Sequence, residues 1–118
     1  MGSEELQERL LNFSVSILKF LKEWQSGRET DVIRYQLSKS ATSAGANYEE
    51  AQASVSRKEF GVKVAISLKE MRETRYWLRI INALDSENAI IKGLIAESEE
   101  LTKILGKINS KINTKSAL

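Results

Sequence analysis

Three arginines and three lysines recur at intervals of three or four residues, so that each set falls on one side of its predicted helix. Arginine binds a phosphate group through two parallel hydrogen bonds, and lysine adds a point charge. The chemistry that these residue types support is therefore contact with a nucleic-acid backbone. The alternative is a solvated helix surface, with lysines favoured near the C-terminal end of the helix dipole. The candidate nucleic-acid-binding residues are Arg72, Arg75, Arg79, Lys103, Lys107 and Lys111.

Paired carboxylates are the other residues that could support chemistry, as ligands of a metal ion. Glu49 and Glu50 lie on one predicted helix, and Glu70 and Glu73 lie on the next. A di-iron bundle also takes histidine ligands from two helices, and this chain has no histidine. No spacing pairs a nucleophile with a general base. We therefore expect no catalytic residue, no cofactor and no metal site, and a carboxylate-bound Mg²⁺ or Ca²⁺ enzyme stays as a third alternative that metal analysis would test.

The composition favours long helices in a single domain. It also indicates the cellular compartment in which the protein is expected. The 118 residues include no proline and six glycines, so few residues interrupt a helix. The net charge of +2 is low for a nucleic-acid-binding protein. The chain has no cysteine, no apolar run of about 18 to 20 residues, and no basic-then-apolar N-terminus of the kind that signal peptides have. We expect a cytoplasmic protein with no membrane partner.

Hydrophobic side chains at alternating intervals of three and four residues predict four helices. The first stripe begins at Leu6 and ends at Trp24, with Ser3 as the expected N-cap and Gly27 as the expected end of the helix. The predicted fold is all-α, an antiparallel up-down-up-down four-helix bundle with long helices and short loops. It forms a single domain over residues 1–118, with helices at about 4–26, 30–53, 57–84 and 87–112.

The boundary between helices two and three carries the strongest local signal in the chain. Ser56 and Glu59 match the S-x-x-E capping box that starts a helix. Val55 and Phe60 are placed to form the hydrophobic staple that accompanies such a box. We therefore expect the third helix to begin immediately after Ser56.

Small residues fill the centre of the second helix. Almost every side chain from Ser40 to Ala46 is small, which lets a neighbouring helix approach closely. A turn near residue 55 would fold helices two and three into an antiparallel hairpin. We therefore expect close packing between them, with Gly45 opposite Ala65.

The third helix has apolar residues on two sides, which is unusual for a helix at the surface of a small bundle. One stripe is expected to face the core. The second must also be covered, and we expect a subunit contact that makes the protein a homo-oligomer. Lys69 and Glu73, four residues apart within this stripe, are expected to form an interfacial ion pair that fixes register more than it adds stability. The candidate interface residues are Ile66, Lys69, Glu73, Trp77 and Ile80.

Three segments of the chain resemble one known family. They are QLSKSATSAGANYEEAQ from Gln36 to Gln52, SRKEF from Ser56 to Phe60, and LKEMRETRYWL from Leu68 to Leu78. Over most of its length the chain resembles the four-helix bundle family of rRNA intervening-sequence proteins, also called the ribosomal protein S23 family. The resemblance implies a helical bundle with no established enzymatic activity.

The same resemblance implies partners. Relatives that accompany diversity-generating reverse transcriptases form pentameric rings, bind the polymerase and engage nucleic acid through basic surfaces, and they are more basic than this chain. We therefore expect a non-enzymatic homopentamer that acts as an accessory protein, with RNA or a nucleic-acid-processing protein as its partner. The alternative is a protein-protein interaction scaffold with no nucleic-acid contact, and charge reversal at Arg75 and Arg79 would separate the two.

Overall fold

Four antiparallel helices make up the protein, as the sequence predicts. The computed structural model describes the backbone of residues 1–117 and the side chains of residues 1–113. Each helix packs on the next in chain order, and the fourth closes the bundle on the first, within an elongated body of 49 × 22 × 20 Å. The prediction of an all-α up-down-up-down bundle is confirmed. The helices are α1 (Ser3–Glu23), α2 (Arg28–Ala51), α3 (Arg57–Leu84) and α4 (Ala89–Ala117).

The core lies along the stripes that recur every three or four residues. In α1, every member of the predicted stripe from Leu6 to Trp24 is buried. On α3, the stripe that was expected to face the core is buried from Val64 to Ile81. Phe60, at the start of this stripe, is partly buried and packs against the core. Removal of these side chains from water is the main force that holds the helices together. The largest fully buried side chains are Leu6, Leu10, Ile17, Leu37, Met71, Leu78, Ile81, Ile91, Leu101 and Leu105.

The interface between α2 and α3 combines small residues with buried hydroxyl groups. The Ser67 hydroxyl donates a hydrogen bond to the Ala44 carbonyl oxygen over 2.7 Å. The hydroxyl oxygens of Ser40 and Thr74 lie 2.8 Å apart, on the same two helices. Because buried hydroxyls are costly unless they are hydrogen-bonded, these bonds fix which residues face each other. They define the antiparallel register of the hairpin.

Gly45 does not take part in that interface. A Cβ atom built on Gly45 would lie 3.6 Å from Leu10 Cβ and 3.7 Å from the Ser14 hydroxyl oxygen. Gly45 therefore faces α1, and its Cβ position is at ordinary van der Waals distance from that helix. The expectation that Gly45 lies opposite Ala65 is wrong, because Gly45 is rotated about 100° around the helix from Ala44, which faces α3.

A pair of charged side chains joins α1 to α4. Arg9 donates two hydrogen bonds to the Glu97 carboxylate, over 2.7 and 2.8 Å. The hydrogen bonds that Arg9 donates to Glu97 raise the pKa of its guanidinium above the ordinary value. Because about a third of each side chain is exposed, the pair contributes less to stability than to the alignment of the two helices.

The start of α1 differs from the prediction. Ser3 is the first helical residue, and Gly2 occupies the cap position without a side-chain hydrogen bond. The Ser3 hydroxyl instead donates to Gln52 Oε1 over 2.7 Å and lies 3.1 Å from the Tyr48 hydroxyl. Ser3 therefore ties α1 to the end of α2, and the expectation that it caps its own helix is wrong.

The end of α1 also differs, because a side chain from α2 caps it. The Arg34 guanidinium donates hydrogen bonds to the carbonyl oxygens of Leu21, Trp24 and Gln25. It also lies over the Trp24 ring, 5.9 Å from the ring centroid. α1 consequently stops short of Gly27, which instead precedes the first residue of α2.

The capping box at the start of α3 is present with one change. The Ser56 hydroxyl accepts a hydrogen bond from the Glu59 amide over 3.0 Å, as predicted. The Glu59 carboxylate accepts from the Val55 amide over 2.9 Å, one residue earlier than the standard box requires. Val55 is 95% exposed, so the predicted staple with Phe60 does not form.

The helix α4 starts two residues later than predicted and continues past residue 112. Its cap is Asn88, whose side-chain oxygen accepts hydrogen bonds from the amides of Ile90 and Ile91 over 3.0 and 3.2 Å. Asparagine is among the best N-cap residues, because its oxygen satisfies amides that have no partner within the helix. Asp85 and Ser86 lie in the turn that connects α3 to α4.

Candidate nucleic-acid interface and subunit contact

An open groove between α3 and α4 brings together basic residues that are distant in the sequence. The two helices are antiparallel, so the centre of α3 lies beside the centre of α4. The groove has a volume of about 530 Å³. We call it the basic groove, and its lining residues are Arg72, Arg75, Glu99, Thr102 and Lys103.

Arg75 has a structural contact inside this groove. Its Nε atom donates to Glu99 Oε2 over 2.8 Å and so joins α3 to α4. The two terminal nitrogens of the guanidinium make no hydrogen bond within the described residues. Arg75 therefore keeps donors for a ligand, but its replacement would also disturb the packing of the two helices.

The other two arginines of α3 are exposed. Arg72 lines the basic groove, and Arg79 lies seven residues further along the same side of the helix, outside the groove. Neither forms an ion pair with another described residue. Their guanidinium groups are therefore available to bind an anion.

The lysines of α4 do not form a straight row beside the arginines. A step of four residues advances about 40° beyond a full helical turn, so a series at this spacing drifts around the helix. Lys103 lines the basic groove, whereas Lys107 is exposed outside it. Lys111 lines a separate pocket of about 240 Å³ with Arg57, nearer the start of α3. The structure thus brings one of the three lysines to the arginines.

The outward side of α3 is apolar and is only partly covered by the rest of the described chain, with Trp77 packed against the core. Its candidate interface residues Ile66, Trp77 and Ile80 are only partly buried. Glu73 accepts a hydrogen bond from Trp77 Nε1 over 3.1 Å and forms no ion pair with Lys69 within the described chain. We call this surface the outward α3 surface; its members are Val62, Ile66, Lys69, Glu73, Trp77, Ile80 and Leu84.

A second exposed apolar surface, which was not predicted from the sequence, lies between α1 and α2. Leu11, Val15 and Leu18 are 55%, 40% and 46% exposed, respectively. They line a groove of about 360 Å³ that Gly45 and Ala46 of α2 help to form. We call it the α1/α2 groove. The intervals of four and three residues in this series were a signal for a second stripe on α1.

The described residues form neither a metal-binding cluster nor a membrane-spanning helix. No three His, Cys, Asp or Glu side chains of that part of the chain come together where they could hold a metal ion. No helix within the described range is long and apolar enough to cross a membrane.

Comparison with known proteins identifies the family. The family model described as 23S rRNA-intervening sequence protein matches residues 5–107. The chain belongs to this family. The resemblance inferred from the three sequence segments is confirmed. The family match spans the whole basic groove as well as Arg79 and Lys107, and it stops before Lys111.

A solved structure is similar over nearly the whole fold. It is the crystal structure of a protein of unknown function from the S23 ribosomal protein family of Bacteroides thetaiotaomicron VPI-5482. The two chains are 31% identical, with a TM-score of 0.79, and the match covers 88% of this chain and 97% of the other. No match was found among curated proteins. The family match therefore agrees with a solved fold, but that structure is of a protein of unknown function. The surfaces described above are the basis for a functional proposal.

Proposed function

We propose that this member of the 23S rRNA-intervening sequence protein family is a non-enzymatic, homo-oligomeric accessory protein that binds RNA through the basic groove. One observation carries the proposal. Arg72 and Arg75 from α3 and Lys103 from α4 line one open groove, although they are separated in the sequence. The only acidic side chain in its lining, Glu99, already pairs with Arg75.

The local charge supports binding better than the net charge does. The whole chain carries only +2. In the groove, Arg72 and Lys103 add two uncompensated cations next to the Arg75–Glu99 pair, and Arg79 adds a third just outside. Attraction to phosphate depends on such local fields, because salt screens charges that are more than about 8 to 10 Å away. An oligomer repeats this patch in every subunit.

Self-association is supported by the two exposed apolar surfaces. Monomeric proteins rarely leave large apolar patches uncovered, and the described residues form two exposed apolar surfaces, the outward α3 surface and the α1/α2 groove. Because the surfaces differ, contact between them is heterologous and builds a closed ring when the rotation between subunits allows it. Glu49, which lines the α1/α2 groove, offers a charge opposite to that of Lys69. We propose a ring, with five subunits as the family resemblance implies.

Charge reversal at the two free arginines tests RNA binding. The variant Arg72→Glu/Arg79→Glu keeps the Arg75–Glu99 pair, which a substitution of Arg75 would break. The matched control is Lys19→Glu/Lys22→Glu, which changes the net charge equally at exposed positions on α1. We expect the first variant to lose at least tenfold in affinity for a labelled RNA at about 50 mM salt, and the control to lose much less.

Two outcomes would contradict the proposal. Equal losses in both variants would mean that only overall charge matters and that the basic groove is not the site. Binding that is absent in the wild-type protein, with an intact oligomer, would favour the alternative of a protein-protein interaction scaffold.

A further inference from the structure

We propose that Tyr76 is a stacking site for an unpaired nucleobase, so that the nucleic acid bound at the basic groove is single-stranded or looped. The inference rests on the proposed function, because it names the class of RNA that the groove takes. The observation behind it is an aromatic ring that is exposed to solvent beside the arginines. Tyr76 is 56% exposed.

The position of Tyr76 places it between two free cations. Arg72 lies four residues before it and Arg79 three residues after it, and side chains at these intervals are neighbours on a helix surface. The two arginines are about 10 Å apart along the axis, at about 1.5 Å per residue. A strand whose phosphates reach both guanidinium groups therefore passes close to the tyrosine ring.

The ring is held in place by its neighbour. The centroids of Tyr76 and Trp77 are 5.1 Å apart, with the two rings at 73° to each other. Trp77 is fixed in turn by its hydrogen bond to the Glu73 carboxylate over 3.1 Å. An ordered ring loses little conformational entropy when a base stacks on it, so its position favours binding.

Stacking on Tyr76 requires a base whose face is free. In a duplex, both faces of each base are covered by the neighbouring base pairs. An unpaired base can turn its face to an aromatic side chain while its phosphate stays with the arginines, which is how many proteins bind single strands. Arginines alone bind the phosphates of either form. The tyrosine therefore gives the groove a preference for unpaired nucleotides.

Tyr35 provides a matched control for this inference. It is 63% exposed, lies on α2, and does not line the basic groove. The test uses the full chain and a 12-nucleotide RNA that carries 2-aminopurine, either as a single strand or paired with its complement. Affinity and 2-aminopurine emission are measured for the wild type, Tyr76→Ala, Tyr76→Phe and Tyr35→Ala, and light scattering gives the mass of each.

We expect Tyr76→Ala to weaken binding of the single strand by about five- to 150-fold, the range found when a stacking aromatic is replaced by alanine. Duplex binding should change less than twofold. Tyr76→Phe should keep both the affinity and the change in 2-aminopurine emission, because the ring remains. Tyr35→Ala should behave as the wild type.

Three results would overturn the inference while leaving the proposed function in place. They are unchanged binding of the single strand by Tyr76→Ala, an equal loss for the single strand and the duplex, and an altered oligomeric mass, which would assign Tyr76 to the subunit contact. Absence of RNA binding by the wild-type protein at about 50 mM salt would instead contradict both proposals.

Discussion

The two sides of α3 differ in a way that separates folding from function. The inward side is complete within one chain, because Met71, Leu78 and Ile81 are fully buried and the Thr74 hydroxyl has hydrogen-bond partners. The outward side carries apolar residues of similar size that the described chain leaves exposed or only partly buried. One helix thus has a fully buried side within its own bundle and a second apolar side that remains partly exposed to solvent. The outward side is where we propose that a second subunit packs.

The largest effect is expected from a substitution on the outward side of α3, which should change the oligomeric state. Ile80→Asp places a charge in the outward α3 surface, where desolvation in a subunit contact would be costly. We expect complete loss of the oligomer, with light scattering giving the mass of the 13.3 kDa chain and circular dichroism showing unchanged helix content. Val32→Asp, at an exposed apolar position of α2 outside both apolar surfaces, should leave the mass unchanged. A wild-type protein that is already monomeric would rule out the proposed contact.

A pair of leucine truncations compares the two sides directly. Leu78→Ala empties a fully buried site and should lower the free energy of unfolding by about 2–5 kcal/mol. Leu84→Ala removes the same atoms from a side chain that is 59% exposed, so its effect should be under about 1 kcal/mol in the monomer. Urea denaturation at several protein concentrations measures both. Equal losses at every concentration would show that the outward side is already covered within one chain.

A smaller effect tests the buried hydroxyl groups of the inward side. Thr74→Val keeps the shape of the side chain and leaves the Ser40 hydroxyl without its partner at 2.8 Å, which should cost about 1–3 kcal/mol. Thr42→Val is the matched control, because the exposed Thr42 hydroxyl bonds only to backbone carbonyls of its own helix. Thermal or urea unfolding should show little change for the control. Similar costs for the two variants would mean that the hydroxyl pair does not hold α2 on α3.

The fold was predictable where hydrophobic spacing alone decides it. The buried stripes of α1, α3 and α4 follow three-four intervals, and these intervals fix which side of each helix faces the core. The start of α3 was predictable because the capping contact between Ser56 and Glu59 is local. Helix ends that depend on distant residues were not. Arg34 caps α1 from another helix, and no local pattern announces such a contact.

The candidate site was predictable in part for a related reason. The sequence identifies Arg72, Arg75 and Arg79 as one side of a helix, and α3 has that arrangement. It does not show that Glu99 already pairs with Arg75, or that the drift of a four-residue spacing carries Lys107 out of the groove. Both depend on how α3 and α4 are aligned. Residue spacing gives positions on one helix, whereas a site between helices also needs their register.

The salt dependence of RNA binding is the measurement that most directly tests whether the basic groove binds phosphate. A labelled RNA hairpin with an unpaired loop is titrated with wild-type protein at about 50 and 200 mM salt. If Arg72, Arg75, Arg79 and Lys103 each contact one phosphate, affinity should fall about 50-fold over this range, with a slope of about −0.7 per contact for single strands. Absence of binding at 50 mM, or an affinity that does not change with salt, would contradict the proposed function.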